Sequence, residues 1–348
     1  MILFYCMIKK INLTNIRNHS NLSLDLNDRF IYIKGPNGSG KTTILESIYL
    51  TSTTKSHRTN NDFDLVKRNE KFGIIHLETN KDIFKIVIHE KGKSILINNK
   101  EAKKLSEVIG RLKVIMFSPE DLNLIKGSPH VRRSFIDYEI IKYSKNYLNN
   151  LTTYKNILKQ RNALLKNISL NDDQTFLNIL GTKLYEIGIK IIRQRSEFIE
   201  ELNLETKKIY SLFSDKNIEI NYLPNAKEEF FLNHLTNNQK QDILYKTTMS
   251  GPHRDDFLVT FMNEDAYKSS QGEIRLIVIS MKLGLINVLK NKTSDNITLL
   301  LDDVLSELDD KIKHKFLDNL PENMQIILNS AINIDSNNVK ILELKGEM

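Results

Sequence analysis

From Phe30 to Thr43 the chain reads FIYIKGPNGSGKTT. An apolar run, Phe30–Lys34, leads directly into the loop Gly35-Pro36-Asn37-Gly38-Ser39-Gly40-Lys41-Thr42. Thr43 then opens a segment with Ile44, Leu45, Ile48 and Tyr49 at helical spacing. The loop satisfies G-x-x-x-x-G-K-[ST] at each fixed position, in the strand–loop–helix order on which the pattern depends. The physics is local. Gly38 and Gly40 let successive backbone N–H groups turn inward around phosphate oxygens. The helix contributes its orphan N–H groups and its positive dipole end. Lys41 has the reach for the β- and γ-phosphates of ATP, and the Thr42 hydroxyl is a hard oxygen ligand for Mg²⁺. Residues Gly35 to Thr43 are therefore the expected nucleotide cradle, and the chain is expected to contain an α/β lobe.

Far along the chain, Thr298-Leu299-Leu300-Leu301 has buried-strand character and ends in Asp302-Asp303. Beside a phosphate loop, a carboxylate at such a strand end holds Mg²⁺. Asp302 is expected in that role, directly or through water, together with Thr42. Asp303 points elsewhere and is placed to polarise the attacking water. Taken alone, the same six residues also read as a strand ending in a solvated acidic turn.

The 348 residues allow two or more lobes with real cores. Ile8–Ile16, Leu22–Leu26, Phe72–Thr79, Phe84–His89, Ser94–Ile97 and Leu112–Phe117 read as strands, with a hairpin turn at Glu90–Lys93. They suggest an antiparallel layer beside the main sheet. From about Leu122 to Phe213 the pattern becomes helical, with stripes such as Leu177, Leu180, Leu184, Ile187 and Ile191. Strand signals return at Ile218–Tyr222, Phe257–Met262, Ile297–Leu301, Gln325–Leu328 and Val339–Leu344. The net charge of +7 is compatible with a polyanionic partner. Cys6 is the single cysteine, so a disulfide framework and a Cys-based metal site are excluded. No apolar run approaches the ~20 residues that span a membrane. Met1–Met7 lacks a basic n-region and a cleavage site, which argues against a signal peptide, and Met7 is an alternative start.

Ser269-Ser270-Gln271-Gly272-Glu273 precedes an apolar-rich helix, Ile274–Leu289. Ser270 and Glu273 fit a capping box. The same residues resemble the signature of ATP-binding-cassette ATPases, where a serine hydroxyl, a glycine N–H and a helix N-terminus meet an anion. Both readings hold at once. Longer stretches resemble the RecF family of bacterial DNA recombination and replication-repair ATPases, relatives of the SMC cassette ATPases. They include Leu13–His19, Gly35–Thr42, Lys55–Asp62, Phe117–Leu122, Lys126–Arg133, Leu158–Ala163, Ser250–Asp256 and Leu299–Asp309. The run Ser250-Gly-Pro-His-Arg-Asp-Asp256 and the run from Asp302 to Asp309 are the most specific of these.

The resemblance implies an ABC-type P-loop NTPase lobe from residues 1–121 and 248–348, carrying the antiparallel β layer. Between them it implies an inserted, mainly helical lobe, 122–247, with a short strand segment near its end and no long coiled coil. It also implies a slow, DNA-stimulated ATPase. Ser270 and Gly272 of one copy would face the γ-phosphate held by Lys41 of another, with Ser306–Asp309 crossing the dimer interface. Glu120 would sit at a corner that senses Mg²⁺ and γ-phosphate. Arg17 would approach the nucleotide, or is a solvated hairpin charge. Arg58 and Arg254 stay open between nucleotide, DNA and a structural carboxylate. The implied partners are DNA at single-strand gaps and ss/ds junctions, a second copy in an ATP-dependent homodimer, and RecO, RecR and RecA. The implied setting is DNA-damage repair and replication restart in the cytoplasm, at the nucleoid. Two features depart from transporter-type cassettes: Asp303 in place of Glu, and Asn329-Ser330 in place of a histidine. Both point to slow hydrolysis. A transporter ATPase subunit leaves the helical insertion unexplained. An SMC-like DNA-bridging ATPase needs long heptad arms. A third alternative is an ATP-gated DNA-binding module with negligible hydrolysis.

Overall fold

The strands, in chain order, are β1 (Ile8–Ile16), β2 (His19–Asp25), β3 (Phe30–Lys34), β4 (Phe72–Thr79), β5 (Ile83–His89), β6 (Gly92–Ile97) and β7 (Lys100–Glu101). They continue with β8 (Lys113–Phe117), β9 (Ile218–Leu223), β10 (Asp256–Phe261), β11 (Glu264–Asp265), β12 (Ile297–Asp302), β13 (Gln325–Asn329) and β14 (Lys340–Glu343). The helices are α1 (Lys41–Thr53), α2 (Asn123–Lys126), α3 (Pro129–Ile141), α4 (Lys145–Asn167), α5 (Thr175–Tyr210), α6 (Glu228–Asn237), α7 (Gln239–Tyr245), α8 (Gln271–Lys292) and α9 (Asp310–Asp318). This computed structural model describes residues 7–59, 61–294, 296–304, 308–321, 324–330 and 339–344. Ser306 and Glu307 of the expected interface segment lie outside the described residues.

Two compact units result, residues 1–121 with 286–348, and residues 122–285. The first holds a parallel sheet in the order β14-β3-β13-β12-β8. Strands β8, β12 and β13 are buried at every position. That is why they read as unbroken apolar runs without alternation. An antiparallel sheet, β2-β1-β4-β5-β6-β7, forms the expected second layer. In β4, buried positions alternate with more exposed ones, as in a sheet with one face in the core. A single core joins the layers through α1: Ile44, Leu45 and Ile48 pack with Ile75 and Ile86 of one sheet and Met116, Leu300 and Ile327 of the other. From Thr43 to Thr53 every residue of α1 except Tyr49 is buried. Two of its buried hydroxyls are satisfied within the helix, Ser47 donating to the Thr43 carbonyl at 2.7 Å and Thr51 to that of Ser47 at 2.8 Å, and Ser52 donates outward to the Leu112 carbonyl at 2.7 Å.

The second unit contains helices α2 to α7, the first part of α8 and a three-stranded antiparallel sheet, β11-β10-β9. Along α5, Leu177, Leu180, Leu184, Ile191, Phe198 and Leu202 form the buried stripe that the sequence suggests. This unit begins at residue 122, and residues 248–285 group within it. The reason is strand pairing: β10 runs antiparallel to β9, with Phe257 opposite Tyr222, and so draws its chain segment into this unit. Among the described residues no helix is long and apolar enough to cross a membrane.

Candidate nucleotide site

In parallel sheets ligands collect at the carboxyl ends of the strands. The glycine loop leaves the end of β3 here, and Asp302 is the last residue of β12. The loop adopts the conformation that its glycines permit. Gly38 and Gly40 have φ of 83° and 84°, a left-handed region that other residues rarely enter. At Gly40 a Cβ would also lie 2.1 Å from the His19 ring, so the close approach needs glycine. Lys41 Nζ donates to the carbonyls of Gly35 and Pro36 at 2.7 and 3.0 Å, folding its side chain over the loop. Ser39 N–H donates to the Pro36 carbonyl at 3.2 Å.

Register brings the acids to the loop. Asp302 of β12 lies opposite Asn329 of β13, the strand between β12 and β3. Thr42 Oγ1 donates to Asp302 Oδ1 at 2.8 Å, and Asn329 Nδ2 donates to the same oxygen at 2.7 Å. Burial raises the Asp302 pKa, opposed by those two hydrogen bonds. Asp303 has left-handed backbone, φ 53°. Its N–H donates to Asn329 Oδ1 at 2.7 Å. A single buried amide therefore fixes both carboxylate residues, one from each end of its dipole.

A cavity of about 390 Å³ opens beside this constellation, a size suited to a nucleotide. Its lining includes Asn37, Gly38, Gly40, Lys41, Thr42, Thr43, Asp303 and Asn329, together with Arg17 and Arg58. Gly35, Pro36 and Ser39 form the base of the loop and are not part of that lining. Arg17 is thus brought to the cavity, held there by Glu46, to which its Nη2 donates at 3.2 and 3.3 Å. Glu46 is wholly buried on α1, one turn beyond Thr42. Ser56 Oγ donates to it at 2.5 Å, and Arg58 lies 4.0 Å away. Glu120 does not line the cavity. It stands in the turn after β8, 3.8 Å from Arg58, and meets the site through that arginine.

Three contributors escaped the sequence reading. Glu46 and Asn329 are buried polar residues, and only the Asn329-Ser330 departure drew notice to one of them. His57 is the third. Its ring nitrogens are buried without a hydrogen-bond partner among the described residues. Burial lowers its pKa against the pull of Glu46, Glu120, Asp302 and Asp121. Ser270 and Gly272 belong to the other unit, exposed at the start of α8. The capping box is present: Ser270 N–H and Oγ donate to Glu273 at 3.1 and 2.9 Å, and Glu273 N–H donates to Ser270 Oγ at 3.3 Å.

Known proteins resemble the chain along nearly its whole length. The family model for the RecF/RecN/SMC N terminal domain matches residues 7–340. DNA replication and repair protein RecF of Acholeplasma laidlawii is 47% identical over 330 residues, 94% of this chain and 95% of that protein. Its counterpart in Streptococcus gordonii is 37% identical over 337 residues, 93% of each. A solved structure of the recombination mediator protein RecF with ATP, from the RecFOR pathway, superposes with a TM-score of 0.90 at 32% identity. It covers 96% of this chain and 94% of that one. An SMC head bound to the C-winged helix domain of ScpA shares the fold, with a TM-score of 0.54 at 15% identity over 94% of this chain and 90% of that one. The fold is that of an ABC-type ATPase.

Proposed function

The chain belongs to the RecF family of the RecF/RecN/SMC group, and from that premise we propose that it is an ATP-dependent DNA-binding clamp of recombinational repair and replication restart. ATP joins two copies head to tail, each nucleotide lying between Lys41 of one copy and Ser270 and Gly272 of the other. Lys41 turns from the Gly35 and Pro36 carbonyls to the β- and γ-phosphates. Thr42 and Asp302 would hold Mg²⁺, which when bound would supply neutralisation of phosphate charge. Asp303 orients the attacking water and accepts its proton as ATP becomes ADP and phosphate. Arg17, anchored on Glu46, faces the nucleotide, and Glu120 acts through Arg58. Hydrolysis is slow and DNA-stimulated. It removes the phosphate that joins the copies, so ATP clamps and turnover releases. The clamp closes on gapped or junction DNA in the cytoplasm and supports RecO- and RecR-mediated loading of RecA.

One observation supports this reading most. Asn329 ties Asp302, which also accepts from Thr42, to Asp303 beside a cavity lined by one unit alone, while the signature serine is exposed at a helix start in the other. Sedimentation with and without ATP tests it. Wild type should dimerise with ATP, and both Lys41→Met and Ser270→Arg should stay monomeric. ATP binding should be lost mainly in Lys41→Met. Dimers that form without nucleotide, or that survive Ser270→Arg, would overturn the clamp.

A further inference from the structure

The run Ser250–Asp256 is not used by the nucleotide site. It lies within residues 122–285, where Pro252 and His253 form part of the wall of a cavity of about 170 Å³. We propose that this cavity binds a phosphate-type oxyanion, held by Arg133 of α3 and Lys155 of α4.

The wall is closed to ligands by its own pairing. Arg195 of α5 donates to Asp137 at 2.8 Å, to Asp255 at 2.9 Å and to the Pro252 carbonyl at 2.6 Å. The hydroxyls of Tyr147 and Tyr222 donate to Asp137 and Asp255. His253 Nε2 lies 3.0 Å from the Thr248 carbonyl, which can only accept, so Nδ1 takes the hydrogen bond of the Tyr154 hydroxyl at 2.8 Å. The ring is neutral and fully engaged.

What remains facing the cavity is positive. Arg133 donates to the Asp255 backbone carbonyl at 2.7 Å, and no carboxylate pairs with it among the described residues. Its pKa is lowered by burial first and then by Arg195, against the pull of Asp256, Asp255 and Asp137. Lys155 has no ion pair among the described residues, and Ser134 adds a hydroxyl to the lining. The acid that lines the cavity, Asp137, is already engaged by Arg195 and Tyr147. The volume is below the roughly 300 Å³ at which drug-sized ligand pockets begin. It suits one tetrahedral oxyanion, for which the guanidinium fork is the matching donor. Free phosphate and the terminal phosphate of a nucleic-acid strand share this chemistry.

Calorimetric titration of the full chain with inorganic phosphate, in saturating Mg²⁺ and ATPγS so that the glycine loop is filled, tests the site. Arg133→Gln and Lys155→Gln should each weaken phosphate binding about tenfold or more. Arg193→Gln, which alters an exposed pair with Glu228 on α5, should leave it unchanged. Two oligonucleotides differing only in a terminal phosphate separate the sources. A preference for the phosphorylated strand that is lost in Arg133→Gln supports a nucleic-acid end, and no preference with phosphate binding intact supports the free ion. If Arg133→Gln fails to fold, the exposed Lys155→Gln decides. No phosphate binding beyond that of chloride, or binding unaltered in the variants, overturns the site.

Discussion

Two buried carboxylates, each served by arginine, are built to different degrees of completion. Asp255 is fully buried, and its partner Arg195 is 2% exposed; they meet at 2.9 Å, and the Tyr222 hydroxyl and the Asn225 N–H donate to the same carboxylate. Glu46 is just as buried, but its arginines are not. Arg17 is 28% exposed at 3.2 Å and Arg58 42% exposed at 4.0 Å, and both line the nucleotide cavity. A charge taken out of water needs its partners. The Asp255 cluster uses all of its donors inward and acts as structure. The Glu46 cluster holds its arginines by one side and leaves the other side to a ligand.

Breaking the closed cluster should have the largest effect. Asp255→Ala leaves buried Arg195 with Asp137 as its one remaining carboxylate and strips the Tyr222 hydroxyl and the Asn225 N–H of their acceptor, and should cost about 3–5 kcal/mol in urea unfolding. A loss below about 1 kcal/mol would mean that the cluster is not closed. Next comes acid. His253 has its pKa pushed down to about 4, by burial first, with Arg254, Arg133 and Arg161 acting in the same direction against the Thr248 carbonyl. Its unfolded value is about 6.5, so the unfolded chain binds the proton more readily. The neutral ring's contribution is complete above pH about 6.5 and is lost as pH falls towards about 4, some ~3 kcal/mol in all. His253→Gln should flatten that part of the stability–pH curve, and an unchanged slope would remove His253 as its source. The smallest stability effect is expected at the open cluster. Glu46→Gln should cost about 1–2 kcal/mol. Single-turnover hydrolysis should nevertheless fall much more than ATP affinity, because Arg17 and Arg58 lose their anchor. Activity that merely tracked stability would place Glu46 with the closed cluster.

The glycine loop and the Asp302-Asp303 strand end were legible because each is written in a few adjacent residues. The strands of the antiparallel layer were legible for the same reason, since alternation and a Glu90–Lys93 turn are local signals. Asn329 was not. Its importance comes from register, which sets it opposite Asp302 across strands far apart in sequence. Glu46 was hidden differently: helical spacing singled out Ile44, Leu45, Ile48 and Tyr49, whereas a helix held between two sheets buries nearly its whole circumference. The grouping of residues 248–285 with the helices also depended on a distant pairing, β10 with β9.

That double-sided burial of α1 has a thermodynamic consequence. The helix that starts at the nucleotide loop is also the piece on which both sheets close, so the loop cannot loosen without disturbing the core of its unit. A nucleotide bound there is then a folding ligand as well as a substrate. At a hundredfold excess over Kd it adds about 2.7 kcal/mol to that unit's stability. The cellular nucleotide pool would thereby set how well the unit resists heat and proteolysis.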